Sequence, residues 1–149
     1  MPRPLTEQER EAFLTEPRVA VLSLPSNDER PPLAFPVWYG YQPGGEITYY
    51  THRTEPKSRK LRLLHEGSVV SLCMQREELP YKYVTVEGTV VEENEAPSVE
   101  QMVAIVRRYL PEDDARAYVN GEMESGVNLV LFTIRPDRWA GLDFGEDAG

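Results

Sequence analysis

At 149 residues, 40% hydrophobic and 28% charged, the chain is long enough to bury one core and too apolar to be disordered, so a single soluble domain is expected. Its formal net charge of -9 argues against a general affinity for nucleic acid, whose phosphates demand a basic face. No apolar run approaches the roughly 20 residues that span a bilayer, and the start MPRPLTEQERE has no apolar signal stretch, so the expectation is a cytoplasmic protein without membrane contact.

In chain order, LTEQEREAFL predicts a short helix in which Thr6 and Glu9 form a capping box and Leu5, Phe13 and Leu14 supply an apolar side, ending near Pro17. RVAVLSLP (18–25) and LAFPVWYGYQ (33–42) read as strands, with Pro36 marking an edge or a bulge. PGG at 43–45 is a turn into the strand EITYYT (46–51), which makes the first three strands an antiparallel meander. A helix is expected from Pro56, a residue suited to the first helical position, to Gly67.

SVVSLCMQ (68–75) and YKYVTVEGTVVEE (81–93) follow as strands around the polar loop REELP, and Gly88 predicts a bulge that lets the sheet curl. SVEQMVAIVRRYL (98–110) carries apolar residues at helical spacing, expected to pack on the barrel, and PEDDARAYVN starts a second helix with acids in its first turn, stopped by Gly121. NLVLFTIRPDRWAG (128–141) is the last strand. The domain is expected to span 1–144, with 145–149 a flexible tail. The fold class is mainly β (α+β): a six-stranded antiparallel barrel with short peripheral helices.

Charge is unevenly spread. Arg53, Lys57, Arg59, Lys60 and Arg62 face only Glu55 in the ten residues 53–62, leaving 11 basic and 24 acidic residues elsewhere. On a helix beginning near Pro56, Lys57 and Lys60 share a stripe with Leu61 and Leu64, while Arg59 and Arg62 lie on another. Cations near a helix start conflict with its dipole unless a bound anion compensates them, and phosphate suits that role. Ser58 and Thr51 add hydroxyl donors, and Tyr49 and Tyr50 point to opposite faces of the strand that ends there. The pattern admits two readings, a site for a flat aromatic phosphate ligand or a solvated basic helix paired with the surrounding acids.

The order of RVAVLSL, PLAFPVWYGY, a third strand ending in Thr51, KSRKL (57–61) and VEGTV (86–90) resembles the flavin-binding split barrel of the pyridoxamine phosphate oxidase-like superfamily, over roughly residues 6–144. The resemblance implies a homodimer with cofactor sites at the interface, binding FMN or, as the alternative, an F-420-type deazaflavin, and transferring a hydride to or from a small-molecule substrate. A flavin or haem binding module without turnover is the other implied possibility. Carried onto this sequence, Lys57, Ser58, Lys60 and Arg59 are cofactor-binding residues at the phosphate, Tyr50 and Thr51 flank it, and Pro36, Val37, Trp38 and Tyr39 line the ring. Trp139, in IRPDRWAGLDFG, matches a C-terminal residue that reaches the flavin, in some cases the one held with the other subunit. No counterpart of the substrate-binding Arg and His pair of vitamin B6 oxidases is found.

Individual residues carry competing readings. Trp38 can face a cofactor or fill the barrel. His52 is an acid or base candidate beside the site, or a surface residue. Tyr81 and Tyr83 share a strand face and fit a substrate pocket reached from a partner subunit, or sheet packing. No catalytic side chain is identified, since the difficult chemistry would be the cofactor's. Cys73 is expected as a small buried hydrophobe, and with two histidines no metal site is expected.

Overall fold

The computed structural model describes residues 2–145; of the tail expected at 145–149, only Gly145 is therefore described. Thr6 caps helix α1 (Glu7–Thr15) through the capping box with Glu9, and Phe13 and Leu14 are buried. The strands are β1 (Arg3–Pro4), β2 (Ala20–Leu24), β3 (Leu33–Val37), β4 (Gly40–Tyr41), β5 (Ile47–Arg53), β6 (Val69–Arg76), β7 (Lys82–Asn94) and β8 (Asn128–Asp143). They form one antiparallel sheet in the order β3-β2-β6-β7-β8-β5-β4, with β1 added to the end of β8.

Among the described residues eight strands replace the six expected, because β1 is added and the strand read at 33–42 is two. Its first half, β3, pairs with β2 at one end of the sheet order, and its second half, β4, pairs with β5 at the other. Trp38 and Tyr39 carry the chain across, so the meander becomes a closure that turns the sheet into a barrel. Below that crossing β3 and β5 do not pair with each other, which leaves a slot between these two strands. Pro36 lies on β3, an edge strand, opposite Val21 of β2, the setting in which a strand tolerates proline.

The register of β7 on β8 slips between Glu87 and Gly88 and again between Val90 and Glu92, and these bulges sharpen the local twist. A Cβ on Gly88 would stand 2.6 Å from Ile134 Cγ2 and 2.8 Å from the Arg135 carbonyl oxygen, the second of which is backbone and cannot swing aside. Gly88→Ala is expected to lower stability by about 1–3 kcal/mol, read as a lower denaturation midpoint. An unchanged midpoint would show that the bulge relaxes freely.

β8 explains its own apolar run. Val130, Phe132 and Ile134 face the barrel core with Leu22, Ile47, Leu72, Met74, Val84 and Val86, while Leu129 and Leu131 pack outward under helices α3 (Val99–Val106) and α4 (Glu112–Glu124). Both faces are buried, so alternation disappears. The helix read to 110 ends at Val106, and α4 passes through Gly121 to stop near Gly126, whose φ of 80° provides the left-handed turn.

Helix α2 (Arg59–Leu63) corrects the helix expected from 56 to 67. Ser58 is its N-cap, accepting from the Leu61 N–H at 3.4 Å, so Pro56 and Lys57 precede the helix and Gly67 lies in the turn before β6. Cys73 is also corrected: Leu72 and Met74 take the core side of β6, and the alternation turns Cys73 outward to an exposed position.

Candidate functional site

The slot between β3 and β5 opens into a cleft of about 720 Å³, bordered by Val19, Pro36, Val37 and Trp38 on one side and by Tyr49, Tyr50, Thr51, His52 and Thr54 on the other. Ser58 and Lys60 close one end, and Ile105, Val106, Tyr118 and Glu122 close the other. The pairing of β5 with β8 sets which side chain meets which end. Tyr49 and Thr51 stand opposite Phe132 and Val130, on the barrel side, whereas Tyr50 and His52 stand opposite Leu131 and Leu129, on the side of α3 and α4.

At the barrel end, Lys60 Nζ donates to Thr51 Oγ1 at 3.0 Å and to the Tyr49 hydroxyl at 3.2 Å, and lies 4.9 Å from the Phe35 ring centroid. The ammonium is half-buried, and among the described residues no carboxylate pairs with it. Thr54 Oγ1 accepts from the Ser58 N–H at 3.0 Å, and both residues line the same cleft as Lys60. A half-buried cation surrounded by hydroxyls is a donor set that suits a phosphate. The helix it starts has five residues, too few for its dipole to matter beside the side-chain charge.

At the other end, the Tyr50 hydroxyl donates to Glu122 Oε1 at 2.6 Å and His52 Nε2 lies 2.9 Å from Glu122 Oε2. Burial, reinforced by that hydrogen bond and by the carboxylate's charge, pushes the Tyr50 phenol well above its ordinary pKa, so it stays a donor. Burial and the same charge raise Tyr118. Trp38 is fixed by stacking on Tyr109, with centroids 4.8 Å apart and planes 5° from parallel. The Tyr109 hydroxyl in turn donates to the Arg18 carbonyl at 2.8 Å and accepts from the Tyr39 N–H at 3.0 Å, tying the closing segment to the turn after α3. Trp38 therefore both packs and borders the cleft.

Of the residues singled out from the sequence, Pro36, Val37, Trp38, Tyr50, Thr51, His52, Ser58 and Lys60 meet at this cleft. The others lie apart. Tyr39 is fully buried in the core, beneath the Arg108 guanidinium. Lys57, expected on one stripe with Lys60, is exposed because the helix starts after it. Arg59 turns to the 26–31 loop, donating to the Pro31 carbonyl at 2.8 Å. Trp139 packs edge-on against Tyr41 and beneath Arg10 on another surface. Tyr81 and Tyr83 cluster with Phe144 near the β6–β7 turn. Tyr109, Tyr118 and Glu122 were not foreseen; the spacing of Tyr118 and Glu122, one helical turn apart, was the available signal.

The family model described as pyridoxamine 5'-phosphate oxidase matches residues 6–143. The chain belongs to the pyridoxamine 5'-phosphate oxidase family. The split barrel of that family is also the architecture of its structural neighbours. A conserved hypothetical protein of Mycobacterium tuberculosis superposes with a TM-score of 0.73 at 23% identity, covering 97% of this chain and 89% of that one. An F-420 reductase gives 0.64 at 19% identity over 87% of this chain and 94% of its own. A FAD-binding protein of Mesorhizobium loti gives 0.62 at 19% identity, with 96% of each chain covered. No curated protein matches the sequence. No helix among the described residues is long and apolar enough to cross a membrane.

Proposed function

We propose that this member of the pyridoxamine 5'-phosphate oxidase family is a flavin-nucleotide-dependent oxidoreductase that binds FMN in the cleft and passes a hydride to or from a small organic substrate. One observation carries the reading: the Lys60 ammonium reaches the cleft with hydroxyl partners and, among the described residues, no carboxylate. Lys60, Ser58 and Thr51 would hold the phosphate, and Pro36, Val37 and Trp38 would border the ring system. Bound flavin supplies the hydride chemistry, while the chain's residues anchor, orient and exclude water.

The exposed cations Lys57 and Arg62, beside Ser58, favour a second reading in which an F-420-type deazaflavin takes the site and these side chains meet its anionic tail. Absorbance separates the two: FMN should give a yellow protein with a saturable flavin spectrum, whereas a colourless protein that quenches added deazaflavin takes the second cofactor. Indifference to both would end the proposal. Reduction of an acceptor by the loaded protein separates an enzyme from a flavin-binding module without turnover.

The proposal includes a homodimer. Pro36, Val21 and Cys73 are lateral neighbours on the outer face of β3, β2 and β6, and Val19, 52% exposed, continues this apolar stripe to the rim of the cleft. A second copy seated there would cover the cleft mouth, and Trp139, Tyr81 and Tyr83 enter the proposed site only from such a partner. Native mass spectrometry is expected to show a dimer carrying two cofactors, and Val21→Glu to yield monomers. A monomeric parent chain would remove the shared site.

A further inference from the structure

We infer that the α4 end of the cleft recognises an organic cation, an amine or protonated nitrogen heterocycle, with Glu122 as its counter-charge and Trp38 and Tyr118 as aromatic walls. The inference names the substrate class of the proposed reaction and rests on that reading of the cleft.

Glu122 is an unusual group for its position. Its side chain is only 15% exposed, it lines the cleft, and among the described residues neither Lys nor Arg pairs with it. Its partners, the Tyr50 hydroxyl and His52 Nε2, occupy one contact on each oxygen, and a carboxylate accepts about four. Acceptor capacity and a negative charge therefore remain directed at the cleft. Tying α4 to β5 would need neither, since a neutral amide reaches the same two partners.

The aromatic surroundings supply the second half of a cation site. Tyr118 is 48% exposed although it is large and apolar, and its ring centre lies 6.2 Å from that of Trp38 at an angle of 44°, both in the cleft wall. Trp38 cannot rotate away, being stacked on Tyr109. Aromatic faces beside a carboxylate attract a cation through both quadrupole and charge. Burial first, and the Glu122 charge second, raise the Tyr118 phenol, consistent with the carboxylate standing near that ring. Lys60 stands on the opposite face of β5, so the cleft is positive at one end and negative at the other. A carboxylate substrate is disfavoured where an ammonium is welcome.

The test compares benzylamine, benzyl alcohol and benzoate, matched in size, as probes of the full-length protein with and without FMN, by saturation-transfer NMR at pH 8. Benzylamine is expected to bind about tenfold more tightly than benzyl alcohol, with benzoate weakest. Glu122→Gln, which preserves shape and hydrogen bonding, should erase the preference while circular dichroism stays unchanged. Tyr118→Phe should keep the preference and Tyr118→Leu reduce it, a contrast that a purely structural role would not produce. Equal affinities for the three probes, or a preference untouched by Glu122→Gln, overturn the inference. FMN titration of the same samples keeps the two readings apart: a protein that ignores FMN yet prefers benzylamine has the cation site without the flavin assignment, and one that binds FMN with no preference has the reverse.

Discussion

Lys60→Ala is expected to weaken FMN binding by about 10- to 100-fold, whereas Lys57→Ala should leave it within about twofold. The first figure follows from the roughly 1.5–3 kcal/mol that a hydrogen bond to a charged group contributes, at about 1.4 kcal/mol for each tenfold. The second follows from position, because Lys57 is exposed, lies before the Ser58 cap and borders no part of the cleft. Salt should weaken binding to the parent chain less than expected for an exposed pair, since Lys60 is half-buried and screened less. Equilibrium titration by flavin fluorescence reads all of these. A Lys60→Ala protein that binds FMN as tightly as the parent would remove the phosphate from this end of the cleft, and a large loss in Lys57→Ala would move it outward along the chain.

The contrast between these two lysines shows how far the sequence could be read. The cluster of cations and its neighbourhood to Thr51 and Ser58 were visible as composition. The helix start was not, because Pro56 and Ser58 both carry starting signals, and here Ser58 has the extended backbone and the side-chain bond to Leu61 that define the cap. Moving the first helical residue from Pro56 to Arg59, by three positions, removes Lys57 from the stripe that it was expected to share. The negative end of the cleft was harder still. Glu122 is one acid in a helix whose first turn alone holds Glu112, Asp113 and Asp114, and its partners Tyr50 and His52 are supplied by a strand some 70 residues earlier. Only the packing of α4 on β8 and β5 brings them together.

The strands were legible to within a residue or two where turn residues bound them, as with PGG between β4 and β5. What periodicity could not carry was the closure of the barrel. LAFPVWYGYQ reads as one strand, yet it divides at Trp38 and Tyr39 because the Tyr39 N–H is taken by the Tyr109 hydroxyl instead of a ladder partner. That bond is made by a side chain 70 positions away, and the slot that becomes the cleft depends on it. The bulge at Gly88, by contrast, is local, and its glycine announced it.

The largest loss of stability is expected on β8, and on both of its faces. Phe132 is fully buried and stacks on Tyr49 with centroids 6.4 Å apart, so Phe132→Ala should cost about 3–5 kcal/mol, a cavity that the closed barrel cannot collapse around. Its neighbour Leu131 points the other way, 4% exposed beneath α3 and α4, and Leu131→Ala should cost about 2–5 kcal/mol. Against the roughly 5–15 kcal/mol of a typical domain either change is severe. In a sheet with one solvated face, two adjacent residues would differ sharply, one costly and the other nearly neutral. Urea denaturation of both variants therefore tests the two-sided burial directly: a cost below about 0.5 kcal/mol for Leu131→Ala, the range of ordinary surface changes, would mean that the helices do not pack on β8. Because Tyr49 accepts from Lys60, the Phe132→Ala protein should also bind FMN less well even under conditions where it remains folded, linking the barrel core to the cation that it positions.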